Sequence, residues 1–274
     1  MKKFCSIFLK GAFIGGTLSV PGVSGGSMAM ILGIYEKLIQ AVNILIGRGG
    51  EKKKAIGFLS LFSVGAIVGI LGISGIVVRL LDCYPMQMVF FFSGAVAGGL
   101  PLIYREAKKE NISVVHYIYL AIGVAVVVFL SILPKGLFQI DAGGGFWSVT
   151  MQFLGGVIAA IALVLPGISV SHMLYVLGLY KGIMAAIAEF DLIVLLPFVF
   201  GVSAGVLLSA RGMNYLFDRF PGYTYFVILG FILGSIGELL SSALGAAPPL
   251  SCYPLMVLGF CSVYLISGKK KASV

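Results

Sequence analysis

Two serines stand in the same short frame, Pro21-Gly22-Val23-Ser24 and Pro166-Gly167-Ile168-Ser169. Proline stops a helix, and a serine just beyond it suits the N-cap of the next one. The first free amides then belong to Gly25, Gly26 and Ser27 in one copy, and to Val170, Ser171 and His172 in the other. A helix start presents unsatisfied N–H groups and about half a positive charge, a chemistry that suits phosphate or carboxylate. Gly25 and Gly26 would let an anion approach the backbone closely. The plainer reading is that Pro-Gly and Gly-Gly only kink and pack membrane helices, where both residues are common. Breaks at matching places in two halves of a chain favour the ligand reading.

The elements that carry these frames are apolar. Of 274 residues, 59% are hydrophobic and 11% charged, with a mean hydropathy of +1.10. A soluble domain carries about 25% charged residues, so this is an integral membrane protein. Its apolar runs, about 16 to 23 residues long, have the length of helices and not the short alternation of a barrel. The net charge of +9 does not point to nucleic acid. The basic residues cluster between apolar runs, which implies membrane orientation and contact with anionic lipid headgroups. Cys5, Cys83, Cys252 and Cys261 show no metal or redox spacing, although Cys83 and Cys252 fall on one face and a disulfide between them is an open alternative. The start, Met1 to Lys10, resembles a secretory signal, but Lys10 interrupts its apolar stretch and no small-x-small site follows, so it is expected to be retained.

The frames belong to a longer repeat. Met28/Met173, Leu32/Leu177, Gly33/Gly178 and Tyr35/Tyr180 match at an offset of 145; Gly65/Gly201, Gly69/Gly205, Asp82/Asp218, Pro85/Pro221, Gly94/Gly230 and Gly98/Gly234 match at 136. The chain therefore divides into repeats 1–145 and 146–274 within one membrane domain. Each holds a broken segment (4–46 and 146–190) followed by three uninterrupted runs: 57–79, 86–104 and 114–134, then 192–210, 223–243 and 252–268. Each broken segment either forms a re-entrant hairpin or crosses twice. Both choices give an odd number of crossings per half, so the second repeat is expected to be inverted. The fold class is all-α and polytopic, with two inverted repeats.

The positive-inside rule agrees. A cytoplasmic N-terminus puts Lys2, Lys3, Arg48, Lys52 to Lys54, Arg105, Lys108, Lys109, Arg211, Arg219 and Lys269 to Lys271 on the cytoplasmic face. The outer face receives Arg79/Asp82, Lys135/Asp141 and Glu189/Asp191. Both termini are then cytoplasmic. Inversion would also bring the two helix starts together near the midplane, where they could share one anion.

Other polar residues near the breaks have two readings each. Glu36 and Lys37, and Lys181 in the second copy, would gate or contact an anion, or else mark an interfacial helix end with lysine snorkelling. His172 replaces Ser27 and would donate to a phosphate or carry a proton, or else be a neutral histidine bonded inside the bundle. Glu238, late in an apolar run, is a candidate proton site. Asp82 and Asp218 read as caps of the following helices, and the paired glycines as small-xxx-small packing stripes. Nothing calls for a cofactor, a metal site or a catalytic set, and no feature sets an oligomeric state. An enzyme such as a lipid phosphatase would want a nucleophile with its base, and only His116 and His172 offer imidazoles. A channel or exporter for a small soluble anion would share the paired site, and lateral access to lipid would separate the two.

Val20-Pro-Gly-Val-Ser-Gly-Gly-Ser27 with Ile31-Leu-Gly-Ile-Tyr-Glu-Lys37 resembles the signature of the PopT-type polyprenyl-phosphate transporters, and Leu165-Pro-Gly-Ile-Ser169 with Leu177-Gly-Leu-Tyr180 resembles their second motif. The resemblance implies a translocase that returns undecaprenyl phosphate from the outer to the inner leaflet of a bacterial cytoplasmic membrane. It also implies two re-entrant hairpins, with the headgroup on Ser24, Gly25, Gly26 and Ser27 and on Ser169 and Ser171 opposite. Val170, His172 and Lys181 depart from the pattern, where glycine, an apolar residue and glutamate would be expected. Inward movement of the anion opposes the membrane potential at about 2.3 kcal/mol per charge per 100 mV, which either a leaflet concentration gradient or a co-transported cation must offset; coupling to a proton or sodium ion through Glu36, His172 or Glu238 is expected.

Overall fold

The computed structural model describes residues 2–18, 23–47, 50–109, 112–136, 145–243 and 248–268. Pro21, Gly22, Arg48, Asp141 and Lys269 to Lys271 lie outside them. In the first half the helices are α1 (Lys2–Thr17), α2 (Gly25–Ile31), α3 (Tyr35–Ile46), α4 (Lys52–Cys83), α5 (Pro85–Ala107) and α6 (Val114–Ile132). In the second they are α7 (Phe146–Val164), α8 (Val170–Leu177), α9 (Tyr180–Glu189), α10 (Leu192–Arg219), α11 (Pro221–Ala243) and α12 (Cys252–Gly268). Every element is helical among the described residues, and six are long and apolar enough to cross a membrane, or eight spans if each bent pair counts as one. Apolar side chains such as Leu71, Phe200 and Val257 face outwards, as a lipid-solvated surface requires.

Each broken segment has one more break than the sequence suggested. α2 turns into α3 through 111°, and α8 into α9 through 112°. Gly33 and Gly178 make these turns at φ 57° and 77°, the left-handed conformation that ends a helix. The shorter arms run back along the longer ones. A Cβ at Gly25 would lie 2.8 Å from Leu18, while Leu32, at the other end of α2, offers its carbonyl to Lys10 Nζ at 3.0 Å. Likewise α8 returns beside α7, bringing Leu179 against Gly155.

The glycine stripes do pack closely, backbone on backbone except at Gly234, which meets the Val127 side chain. Gly65 and Gly69 of α4 meet Phe8 and Ala12 of α1, and Gly201 and Gly205 of α10 meet Phe153 and Val157 of α7. Gly94 and Gly98 of α5 meet Met256 and Phe260 of α12, and Gly230 and Gly234 of α11 meet Leu120 and Val127 of α6. The pairs α1–α4 and α5–α12 thus have counterparts in α7–α10 and α11–α6, the latter exchanged between halves. Without a hydrophobic force between helices in lipid, this close approach holds the bundle through dispersion.

Several local expectations need correction. α4 starts at Lys52 and α10 runs to Arg219, because lysine, arginine and leucine continue a helix beyond its apolar stretch. Tyr84, not Asp82, is the N-cap of α5, and Asp218 accepts from Asn214 within α10 at 2.7 Å. Asp191 is the aspartate that caps, taking the Ile193 and Val194 amides at 3.0 and 3.4 Å. Cys83 is exposed at the end of α4, Cys252 is buried at the start of α12, and both are free thiols.

Candidate functional site

The two frames meet. A Cβ at Gly26 would stand 3.1 Å from Pro166 Cα and 3.3 Å from the Leu163 carbonyl, so α2 seats its first turn directly on the second break. Gly167 lies at φ 91°, and a Cβ there would fall 2.6 Å from the backbone of Phe231. Only glycine meets both demands, and its absent side chain lets the break rest on the middle of α11. Tyr35 completes the junction. Its hydroxyl donates to the carbonyl of Val164 at 2.7 Å, supplying a donor to the end of α7.

At this junction the first copy holds polar atoms in an unusual condition. Ser24 and Ser27 are 5% and 1% exposed, and neither hydroxyl has a hydrogen-bond partner among the described residues. Ser24 occupies the N-cap position with extended backbone, yet its side chain makes no capping bond, contrary to the sequence expectation. A buried hydroxyl left unpaired costs about 1–3 kcal/mol, and buried polar groups are ordinarily satisfied. Gly25, half-buried, and Gly26, buried, complete the turn. On α5, which packs against α2 through Gly99 and Ile31, Ser93 is also fully buried and unpartnered. No repeat or motif marked Ser93.

The second copy is satisfied differently. Ser169 caps α8 by accepting the His172 amide at 3.4 Å. His172 Nδ1 lies 3.0 Å from Glu238 Oε1 on α11, and Nε2 lies 3.2 Å from the Leu130 carbonyl on α6. Two residues singled out separately, one at the start of α8 and one late in α11, are therefore partners. Val170 and Ser171 are half-buried in the same turn.

The remaining candidates are spread further. Glu36 is exposed and accepts from the hydroxyl of Tyr225, near the start of α11. Lys37 is exposed. Lys181 lines a separate cavity of about 650 Å³ among α7, α9 and α10, with Gln152 and Glu189. His116 serves structure: it forms a capping box with Ser113 and stacks on Tyr223 at 4.4 Å. Asn43, which donates to the Ala210 carbonyl at 2.9 Å, and Lys10 tie helices together in the same way. Lys10 had announced itself by interrupting an apolar run, whereas Tyr225 gave no signal.

Beside the junction, a cavity of about 510 Å³ is lined by Tyr119, Leu165, Met213, Phe220, Val227 and Phe231. Its wall is almost wholly apolar, and Leu165 immediately precedes Pro166, so the cavity abuts the break. Among the described residues no group of histidine, cysteine and carboxylates could hold a metal ion.

An all-helical, multi-pass membrane protein whose two broken segments meet in its interior is the class that fold and site define. The chain belongs to the VCA0040-like family, described as undecaprenyl phosphate translocase-like, whose model matches residues 14–244. It is 31% identical over 239 residues to a polyprenyl-phosphate transporter of Staphylococcus aureus (strain NCTC 8325 / PS 47), covering 83% of each chain. It is 26% identical over 251 residues to a polyprenyl-phosphate transporter of Vibrio cholerae serotype O1 (strain ATCC 39315 / El Tor Inaba N16961), covering 86% of this chain and 77% of that one. No solved structure matches it.

Proposed function

We propose that this protein transports polyprenyl phosphate, returning undecaprenyl phosphate from the outer to the inner leaflet of a bacterial cytoplasmic membrane. The observation that carries the reading is the contact of Gly26 with Pro166: the turn of α2 that bears Ser24 and Ser27, whose hydroxyls lack partners, rests against the second break. The phosphate headgroup binds there, near the midplane, between the two helix starts. α2 has seven residues, too short for a large macrodipole, so its hydroxyls and first amides carry the recognition. Family membership and the two relatives' names support a transporter over an enzyme.

Antiparallel packing of α2 on α1 and of α8 on α7 supports two re-entrant hairpins. The matched bends and exchanged helix pairs support two repeats, 1–145 and 146–274, inverted as their basic loops require, with both termini cytoplasmic. The apolar cavity at Leu165 favours a lipid over a small soluble anion. An isoprenoid tail can lie along such a wall while only the headgroup leaves water. Anionic lipids meet the basic loops, and movement against the potential is offset by a proton or sodium ion acting through Glu36, His172 or Glu238. The test is flipping of labelled undecaprenyl phosphate in vesicles, wild type beside Ser24→Ala/Ser169→Ala. The double variant should lose most of the activity, and wild-type rates in it would remove the shared site.

A further inference from the structure

The second half-site already holds a carboxyl group of its own. Glu238 reaches from α11 to His172 in the first turn of α8, and the cavity around them, bounded by Gly167, Ser169, Leu130 and Val127, measures about 10 Å³. That volume is at the limit for a single water, so a phosphate cannot enter while the carboxylate stays. The first half differs. Position 27 carries the small hydroxyl of Ser27 where the second carries His172, and the α5 residue matching Glu238 is Leu102. The competitor is therefore built into one half only.

The hydrogen bonds fix how many protons the pair holds. A carbonyl oxygen only accepts, so His172 Nε2 must donate to Leu130. The contact between Nδ1 and Glu238 Oε1 then needs one further hydrogen, on the nitrogen or on the oxygen. Other groups facing the pair are few. Lys135, following α6, acts on His172 by its charge and lies over the Tyr175 ring of α8 at 5.9 Å; Tyr180 of α9 stacks on that ring. α7 carries no charged residue, and Glu238 is the only one on α11. Among the described residues Lys135 is the cation that acts on the pair, and its ammonium lies over the Tyr175 ring without an ion pair to Glu238, so release of that carboxyl into an apolar setting requires a proton.

We infer that Glu238 is a tethered competitor of the phosphate: the headgroup takes its place on His172 and the first turn of α8, and Glu238 leaves by binding one proton from solution. This rests on the proposed headgroup site and states what controls it. The cycle then balances. The resting pair holds one shared proton; the bound state holds an imidazolium facing phosphate and a neutral Glu238 carboxyl. The second proton leaves when Glu238 returns and expels the headgroup.

The test titrates farnesyl phosphate, a short prenyl phosphate, into the detergent-purified full-length protein at about pH 8, where a free carboxyl is ionised. Glu238→Gln, which cannot compete as an anion, should bind roughly tenfold or more tightly than wild type. Equal or weaker binding by that variant overturns the inference. In parallel, infrared difference spectra of the wild type should gain the band of a protonated carboxyl as farnesyl phosphate binds, and Glu238→Gln should not. Absence of the band in the wild type overturns the inference even where the variant fails to fold. Ser24→Ala/Ser27→Ala separates the two levels. Undiminished binding in it overturns the headgroup site, whereas retained wild-type binding without the band overturns only the competition. Binding by neither wild type nor Glu238→Gln overturns both.

Discussion

Replacing Ser24 and Ser27 together by alanine should separate stability from function in one protein. Both hydroxyls are buried, at 5% and 1% exposure, without a partner. Each unpaired hydroxyl costs about 1–3 kcal/mol on mutational scales, or nearer 0.6 kcal/mol where the unfolded chain also finds partners in the membrane. Their removal should thus leave the melting temperature in detergent unchanged or raise it. Binding should move the other way. A hydrogen bond to a charged group contributes about 1.5–3 kcal/mol, so two lost bonds amount to about 3–6 kcal/mol. At about 1.4 kcal/mol per tenfold, flipping of labelled undecaprenyl phosphate at sub-saturating substrate should fall at least a hundredfold. The pair is a cleaner probe than Ser169, whose hydroxyl already accepts the His172 amide. Flipping and stability falling in step would mean that these serines pack the junction and bind nothing. Unchanged flipping would place the headgroup elsewhere.

Gly167→Ala should fold poorly: left-handed backbone costs a side chain about 1–2 kcal/mol, and the new Cβ would sit 2.6 Å from Phe231 backbone at φ 91°. Gly182→Ala, with nothing within 4 Å, is its control and should melt at or above wild type. Tyr35→Phe leaves the Val164 carbonyl without the donor now at 2.7 Å; a loss of about 1 kcal/mol is expected in denaturant titration, with slower flipping if the junction shifts. Cys83 should react with a membrane-impermeant maleimide in intact vesicles of the matching orientation while Cys252 stays unlabelled, and non-reducing gels should show no change of mobility on reduction, because one thiol is exposed and the other buried.

Much of this architecture could be read from the chain because lipid leaves few options. Backbone groups must be satisfied within a segment, so apolar length alone located α4 to α6 and α10 to α12. The glycine pairs were legible for the same reason, since only small residues allow backbones to touch. Charged ends were harder, as the basic starts and tails of α4 and α10 continue the helix into the interface beyond any hydropathy signal. The site was legible in part. Repetition singled out Ser24 and Ser169, with Ser27 in the first turn that follows, while the solitary polar residues His172 and Glu238 stood out against apolar runs. Their pairing did not show, because it joins residues far apart in sequence through the rotation of α8 against α11. The turns at Gly33 and Gly178 were matched as residues but not read as bends, since a lone glycine in a membrane helix usually reports packing.

The differences between the halves carry as much meaning as their likeness. In the proposed inverted arrangement, two identical halves would give inward- and outward-facing states of equal energy apart from the membrane potential. α11 breaks that equality. Near its start Tyr225 donates to Glu36 of α3, and 13 residues further on Glu238 meets His172 of α8. At 1.5 Å per residue these ties stand about 20 Å apart, and the break at Gly167 rests between them on Phe231. The corresponding positions on α5 are Val89 and Leu102, which can make neither bond. One helix of the duplicated pair thus ties both bent segments by hydrogen bonds to carboxyl groups, while its counterpart α5 meets α2 by packing Gly99 on Ile31. Coupling of this kind needs an element with two discrete arrangements that both sites bias. α11 touches both bent segments and the junction, so it is the element whose displacement would carry a proton at Glu238 into a change at Ser24.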